Sequence, residues 1–420
     1  MQMICNLLVI SPQEVLKVTL FIKEERGPLT IHYEESIDAF LTAVMLMRTC
    51  IEINRPSICR PFKGKARGLV ISEVLPAALS GDSLYLTTED SDDENVITVG
   101  DLILSIYSIC KSLNKNSRGI VLYPLIASYL TDDGLNRLYS SDSKEIQSLV
   151  EESSGKIVRD QQFVFPSQMV LPLNQVLEFS LNPPIIPLLG QPQEIEKLLY
   201  KAGIQSGILG TDLDYSSRTT LNSQLVMLTA SENKKLNLPK QYMDNVLKIT
   251  NSHSRVVFVH FYTELLIRFF QTERRNLLLR VLLGENGIPL QTLLKEYKDG
   301  ITSILDLCLQ QEISYEDTSG LCTVTIPGIK SGYIASRVLY CYKLKGKLPT
   351  NSIASLMFGE DSAVFIEGQN PIVGLNVISE SIFAEKKVKV HAEIGGALVA
   401  TFVDKKLLMT IREFIEMNFL

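Results

Sequence analysis

The sequence predicts an α+β fold, mainly α-helical, in two lobes joined by a Pro-rich extended arm. Three observations carry that expectation. Segments with helical apolar spacing recur between Ser36 and Gln311. Six of the 17 prolines fall between Pro166 and Pro192. Beyond Leu321 the pattern changes to short runs of Val, Ile and Tyr punctuated by glycine. A length of 420 residues exceeds what a single core usually serves. The expected division is an acidic N-terminal domain over 1–160, the arm over 161–192 and a C-terminal domain over 193–420. Within the last, 193–311 reads as helical and 321–403 as β-rich, with a terminal helix after it.

The first elements read as β structure. MQMICNLLVISP lacks a cationic n-region, so it is expected to be a strand and not a signal peptide. VLKVTLFIKE and LTIHYEE flank Glu25-Arg26-Gly27-Pro28 in a hairpin pattern. Ser36 is placed to N-cap a buried helix, IDAFLTAVMLMRTCIEI. LYLTTEDSDDEN is a strand running into a solvated acidic loop, and Thr98 with Asp101 opens the apolar helix VGDLILSIYSICKSL. Helices are expected near Val121–Leu130 and Lys144–Glu152. Later helices are Ile195–Lys201, Gln241–Lys248, Val256–Phe270, Arg274–Leu283 and Leu290–Gln311. CTVTIPG, KKVKVHAEIGG and ALVATFV read as strands, and LLMTIREFIEMNF as a short amphipathic helix.

Charge is distributed unevenly. Residues 1–160 hold 16 Lys/Arg against 22 Asp/Glu, whereas 161–420 hold 25 of each. Within the acidic part, RPSICRPFKGKARG places Arg55, Arg60, Lys63, Lys65 and Arg67 together with no acid, and its prolines and glycines predict an irregular loop over 55–67. A second basic tract, Thr318–Gly359, carries Lys343, Lys345 and Lys347 among tyrosines and no acid. A third sets Arg274 and Arg275 on an aromatic-rich helix pair. Clustered cations on an acidic body point to a polyanionic partner, with these ten residues as phosphate contacts.

Seven widely spaced cysteines, with no CxxC pair, predict free thiols in a reducing compartment. No run is long and apolar enough to span a membrane, so an intracellular protein, cytoplasmic or within a particle assembled there, is expected. P-loop, GxSxG, GxGxxG and HExxH patterns are absent, and no metal or cofactor is expected. Function on these grounds reads as a non-enzymatic structural protein of capsid or nucleocapsid kind. It would self-associate as a homo-oligomer through the 166–192 arm and contact RNA or DNA backbone non-specifically. The alternative is a scaffold or accessory subunit of a protein complex without nucleic-acid binding. The third reading is an enzyme whose site is assembled from distant residues.

Overall fold

A computed structural model describes residues 10–128, 144–235 and 241–310, with interruptions at 35, 65, 77–78, 118, 154–156, 181–184, 251–255, 271 and 286, residues 338 and 342, and strands at 315–318, 321–325, 353–358, 361–367, 389–393 and 397–404. The chain forms two compact units, one of residues 1–160 with 245–293, the other of 161–244 with 294–420. Each therefore draws on two separate stretches of sequence.

The first unit opens on a helix, α1 (Pro12–Glu24), where a hairpin strand was expected. Ser11 and Glu14 form a reciprocal capping box and Pro12 occupies the first turn; together these outweigh the β-branched residues of VLKVTLFI. Then follow β1 (Leu29–Tyr33), α2 (Ile37–Glu52), β2 (Ser57–Pro61), β3 (Gly68–Ile71), β4 (Ser83–Thr87) and β5 (Val96–Thr98). These strands build one parallel sheet in the order β2-β1-β3-β4-β5. The fold is thus mixed α/β around a central parallel sheet, not mainly helical. β3 and β4 are buried at every position, as strands covered on both faces are, and so lack the alternation that marks a strand in sequence.

Helix α2 begins where Ser36 Oγ accepts the Ala39 N–H at 3.1 Å. It packs on β1, β2, β3 and on α3 (Leu102–Leu113), burying Phe40, Leu41, Val44, Met45 and Cys50. Asp101 N-caps α3 through the Leu104 N–H at 2.7 Å. Two shorter helices, α4 (Leu122–Ser128) and α5 (Lys144–Glu152), precede β6 (Ile157–Phe163), within which the chain passes into the second unit.

The described residues of the proline-rich segment are folded, not extended. Pro166–Met169 and Ile186–Leu188 are short 3-10 turns around α6 (Leu173–Phe179), and α7 (Pro192–Lys201) follows. Pro166 and Pro192 sit in first turns and Pro172 is the N-cap of α6, positions where a missing N–H costs nothing. Leu173, Val176, Leu177 and Leu188 bury against Ile195 and Leu199 in this unit's own core. The segment read as a docking arm for another subunit is therefore a core element. Next comes α8 (Tyr215–Lys235), a helix its Ser/Thr-rich sequence did not suggest. Gln241–Lys248, read as a helix, falls instead largely in the strand β7 (Met243–Thr250).

β7 carries the chain back to the first unit, where β8 (Val256–Phe258) pairs antiparallel with it; the sheet order is β6-β7-β8. Helices α9 (Val259–Phe269) and α10 (Arg275–Leu282) complete this unit. α9 packs on α4, Phe270 lies 5.3 Å from Phe40, and the Tyr123 hydroxyl donates to the Leu282 carbonyl at 2.9 Å. α11 (Ile288–Gln310) leads to the second unit's larger sheet. That sheet comprises β9 (Tyr315–Thr318), β10 (Leu321–Thr325), β11 (Ile353–Phe358), β12 (Asp361–Glu367), β13 (Lys389–Glu393) and β14 (Ala397–Asp404), in the order β13-β14-β12-β11-β10-β9. Only β10 and β11 run parallel among its described pairs. Residues 1–9 of the expected N-terminal strand MQMICNLLVISP, and all of the expected terminal helix, lie outside the described residues.

Candidate functional site

In an open parallel sheet, ligands bind beyond the carboxyl ends of the strands, at the point where strand order reverses. Here that point lies between β1 and β3, since β2 flanks β1 on one side and β3 on the other. The residues there are Glu34 after β1, Ser72-Glu73-Val74 after β3, Glu89 after β4, and Asp38 in the first turn of α2.

Their hydrogen bonds define what the crevice does. Glu34 Oε2 accepts from Ser72 Oγ at 2.9 Å and from the Glu73 N–H at 2.8 Å, with the Val74 N–H at 3.4 Å. The Ser72 hydroxyl also meets the Val74 carbonyl. Thr87 and Thr88 donate to the Glu73 carbonyl at 3.0 and 2.9 Å. Glu89 Oε2 accepts the Leu75 N–H at 2.7 Å. Glu34 and Glu89, together with the α3 N-cap Asp101, thus pin backbone amides that would otherwise be orphaned at loop and helix starts. Among the described residues no group of three or more His, Cys, Asp or Glu is arranged to hold a metal ion. Asp38 stands apart: loss of hydration, then the charges of Glu73 and Asp101, push its carboxyl up to about 6. Chemically, the carboxylates of Glu34 and Glu89 are tied to the loop that follows β3.

Of these acids the sequence singled out Asp101, as a helix cap, and Glu89, within an acidic loop; Glu34 and Asp38 were not marked. The available signal was the succession strand, Glu34, Ser36 cap, apolar helix, strand, which is the start of a βαβ unit. The hairpin reading of residues 15–35 obscured it.

The basic segment 55–67 is also more ordered than expected. Ser57–Pro61 is an edge strand, β2, not an irregular loop. Arg55 is turned inward, where its Nε donates to the Ile22 carbonyl at 2.9 Å and its Nη atoms donate to Gly27 at 2.7 Å and Glu25 at 2.5 Å. It closes the C-terminus of α1, whose last carbonyls have no partner within the helix. Arg67 stands 3.9 Å from Glu25. Arg60 and Lys63 are exposed. Burial, and next the charge of Arg60, hold the imidazole of His32 on neighbouring β1 below its usual range.

The other predicted cations serve different elements. Arg275 donates from Nε to the Phe270 carbonyl at 2.6 Å and lies 4.6 Å from that ring's centre, so it fixes the turn between α9 and α10. Arg274 is the exposed N-cap residue of α10. Lys65, Lys343, Lys345 and Lys347 lie outside the described residues.

No protein-family model matches the chain, and no curated protein does. Solved structures do. CDC45 from Entamoeba histolytica superposes with a TM-score of 0.59 at 9% identity, over 96% of this chain and 97% of that one. A RecJ from Thermus thermophilus in complex with Mg2+ gives 0.41 at 11% identity, over 96% of this chain and 51% of that one. An exonuclease RecJ bound to manganese gives 0.40 at 9% identity, over 98% and 95%. The likeness to CDC45 is one of fold, and it extends over nearly the whole of both chains. It overturns the capsid or nucleocapsid reading: this is the architecture of CDC45, not of a capsid protein, and the segment read as an assembly arm belongs to a core.

Proposed function

We propose that the chain is a non-catalytic, CDC45-like accessory subunit of an intracellular protein complex. The observation that carries this reading is the state of the switch-point crevice. Glu34 and Glu89 each hold loop amides, and Asp101 caps a helix. A carboxylate held this way stabilises the fold, and the oxygen it commits to loop amides is less available as a general base. The end-to-end likeness in fold to CDC45 agrees with the reading. Arg60 and Lys63, exposed on an otherwise acidic part of the chain, then meet an acidic protein surface.

Native mass tests the proposal. The chain, tagged at its own locus and purified from its source cells, is expected to elute with partners at fixed ratio, well above its own 47.0 kDa. A 47.0 kDa monomer, or an oligomer of this chain alone, contradicts it.

A further inference from the structure

The parallel sheet ends at β2, and among the described residues nothing pairs with the outer side of that strand. Two bonds fix which main-chain groups face outward. The Leu29 N–H donates to the Pro56 carbonyl at 2.9 Å, and the Phe62 N–H donates to the Tyr33 carbonyl at 2.7 Å. In a parallel ladder alternate residues face the neighbour, so Pro56, Ile58, Arg60 and Phe62 turn their backbone toward β1. Ser57, Cys59 and Pro61 therefore present theirs to the free edge. Proline supplies no N–H, which leaves the amides of Ser57 and Cys59 and three carbonyls as the available groups.

The side chains beside that edge are specific. Ile58 is 52% exposed and Arg60 is exposed, and as i and i+2 they share one face. Lys63 and Arg67 continue the positive charge beyond the strand. A phosphate surface would not need the exposed Ile58, and Arg55 is already committed to carbonyls of the α1 terminus. Pairing of two copies through β2 would set Arg60 and Lys63 against their own likenesses, which like-charge repulsion disfavours. An acidic strand suffers neither objection.

We infer that the free edge of β2 is a docking site for an extended acidic segment of a partner protein. That segment adds to the sheet as a further strand, with an apolar side chain beside Ile58 and a carboxylate beside Arg60. The inference rests on the accessory-subunit reading and names the surface through which one partner is held.

The test uses the full-length chain and a dye-labelled peptide of alternating glutamate and valine, followed by fluorescence anisotropy. Saturable binding is expected, with slowed deuterium exchange in the segment containing Ser57 and Cys59. Arg60→Glu should weaken it by about tenfold or more, and so should N-methylation of alternate peptide amides, which leaves the protein untouched. Absence of binding overturns the inference, as does equal binding by the N-methylated peptide. It is also overturned if an oligothymidylate probe binds through Arg60 while the peptide does not. If the peptide fails but the native complex persists in the Arg60→Glu strain, only the edge proposal falls. A chain that is monomeric in its source cells removes the accessory-subunit reading itself.

Discussion

Glu34 and Ser72 are joined by a 2.9 Å hydrogen bond across the point where the parallel sheet reverses its strand order. The same carboxylate oxygen accepts the Glu73 N–H, so one side chain closes the ends of β1 and β3 onto each other. Glu34→Ala leaves the Glu73 amide without its acceptor and the Ser72 hydroxyl with only the Val74 carbonyl. The expected loss is about 2–3 kcal/mol of stability, measured by urea denaturation, because hydrogen bonds to a charged group are the stronger class. Glu34→Gln, which keeps one acceptor oxygen, should lose roughly half as much.

Gly68 opens β3 with φ +124°, and a Cβ there would stand 2.3 Å from the Thr30 carbonyl oxygen. The obstacle is backbone of the neighbouring strand, so nothing can move aside without parting β1 from β3. Gly68→Ala should cost at least about 3 kcal/mol, seen as a lowered melting temperature or insoluble protein. Gly27, at φ +84° with nothing within 4 Å, is the control, and Gly27→Ala should cost only about 1 kcal/mol.

Arg55 tests whether the basic segment begins with a structural residue. Its donors reach Ile22, Glu25 and Gly27 through a planar fork that lysine cannot reproduce. Both Arg55→Ala and Arg55→Lys should therefore destabilise the chain, alanine by about 2 kcal/mol. Arg60→Ala, on the exposed strand face, should fall within about 0.5 kcal/mol of wild type by the same denaturation measurement.

Asp38 sets a pH dependence. Its carboxyl is pushed up to about 6, above its ordinary range, so the folded chain holds a proton there that the unfolded chain has released. Stability from this group is then greatest below the unfolded value and declines as pH rises toward 6. Asp38→Asn should flatten that decline, and at pH 7.5 it should be more stable than wild type. Asp38 keeps solvent contact, so the gain is limited to about 1 kcal/mol or less. Thermal melts of both proteins between pH 4 and 7.5 measure it.

Local signals in the sequence were legible where one residue sets one element. Ser36 caps α2, Asp101 caps α3, and α5 spans Lys144–Glu152 as its pattern suggested. Competing local signals misled at α1, where a run of β-branched residues hid the Ser11–Glu14 box, and at β7, whose amphipathic spacing also fits a helix. The parallel sheet was hidden for a different reason. Its strands are three to five residues long, two are buried on both faces, and their partners lie far along the chain. The crevice followed it into obscurity, because Glu34 meets Ser72 only through that topology. Arg55 was noticed for its charge, but its partners lie about thirty residues away and its charge alone suggested phosphate.

We propose that Glu34 and Glu89, at the sheet's switch point, serve the fold and perform no chemistry. Incubating the purified chain with end-labelled single-stranded DNA and Mg2+ or Mn2+ tests it most directly. No hydrolysis above background is expected with either metal. Metal-dependent cleavage that Glu34→Gln abolishes, in a variant that remains folded, would contradict it.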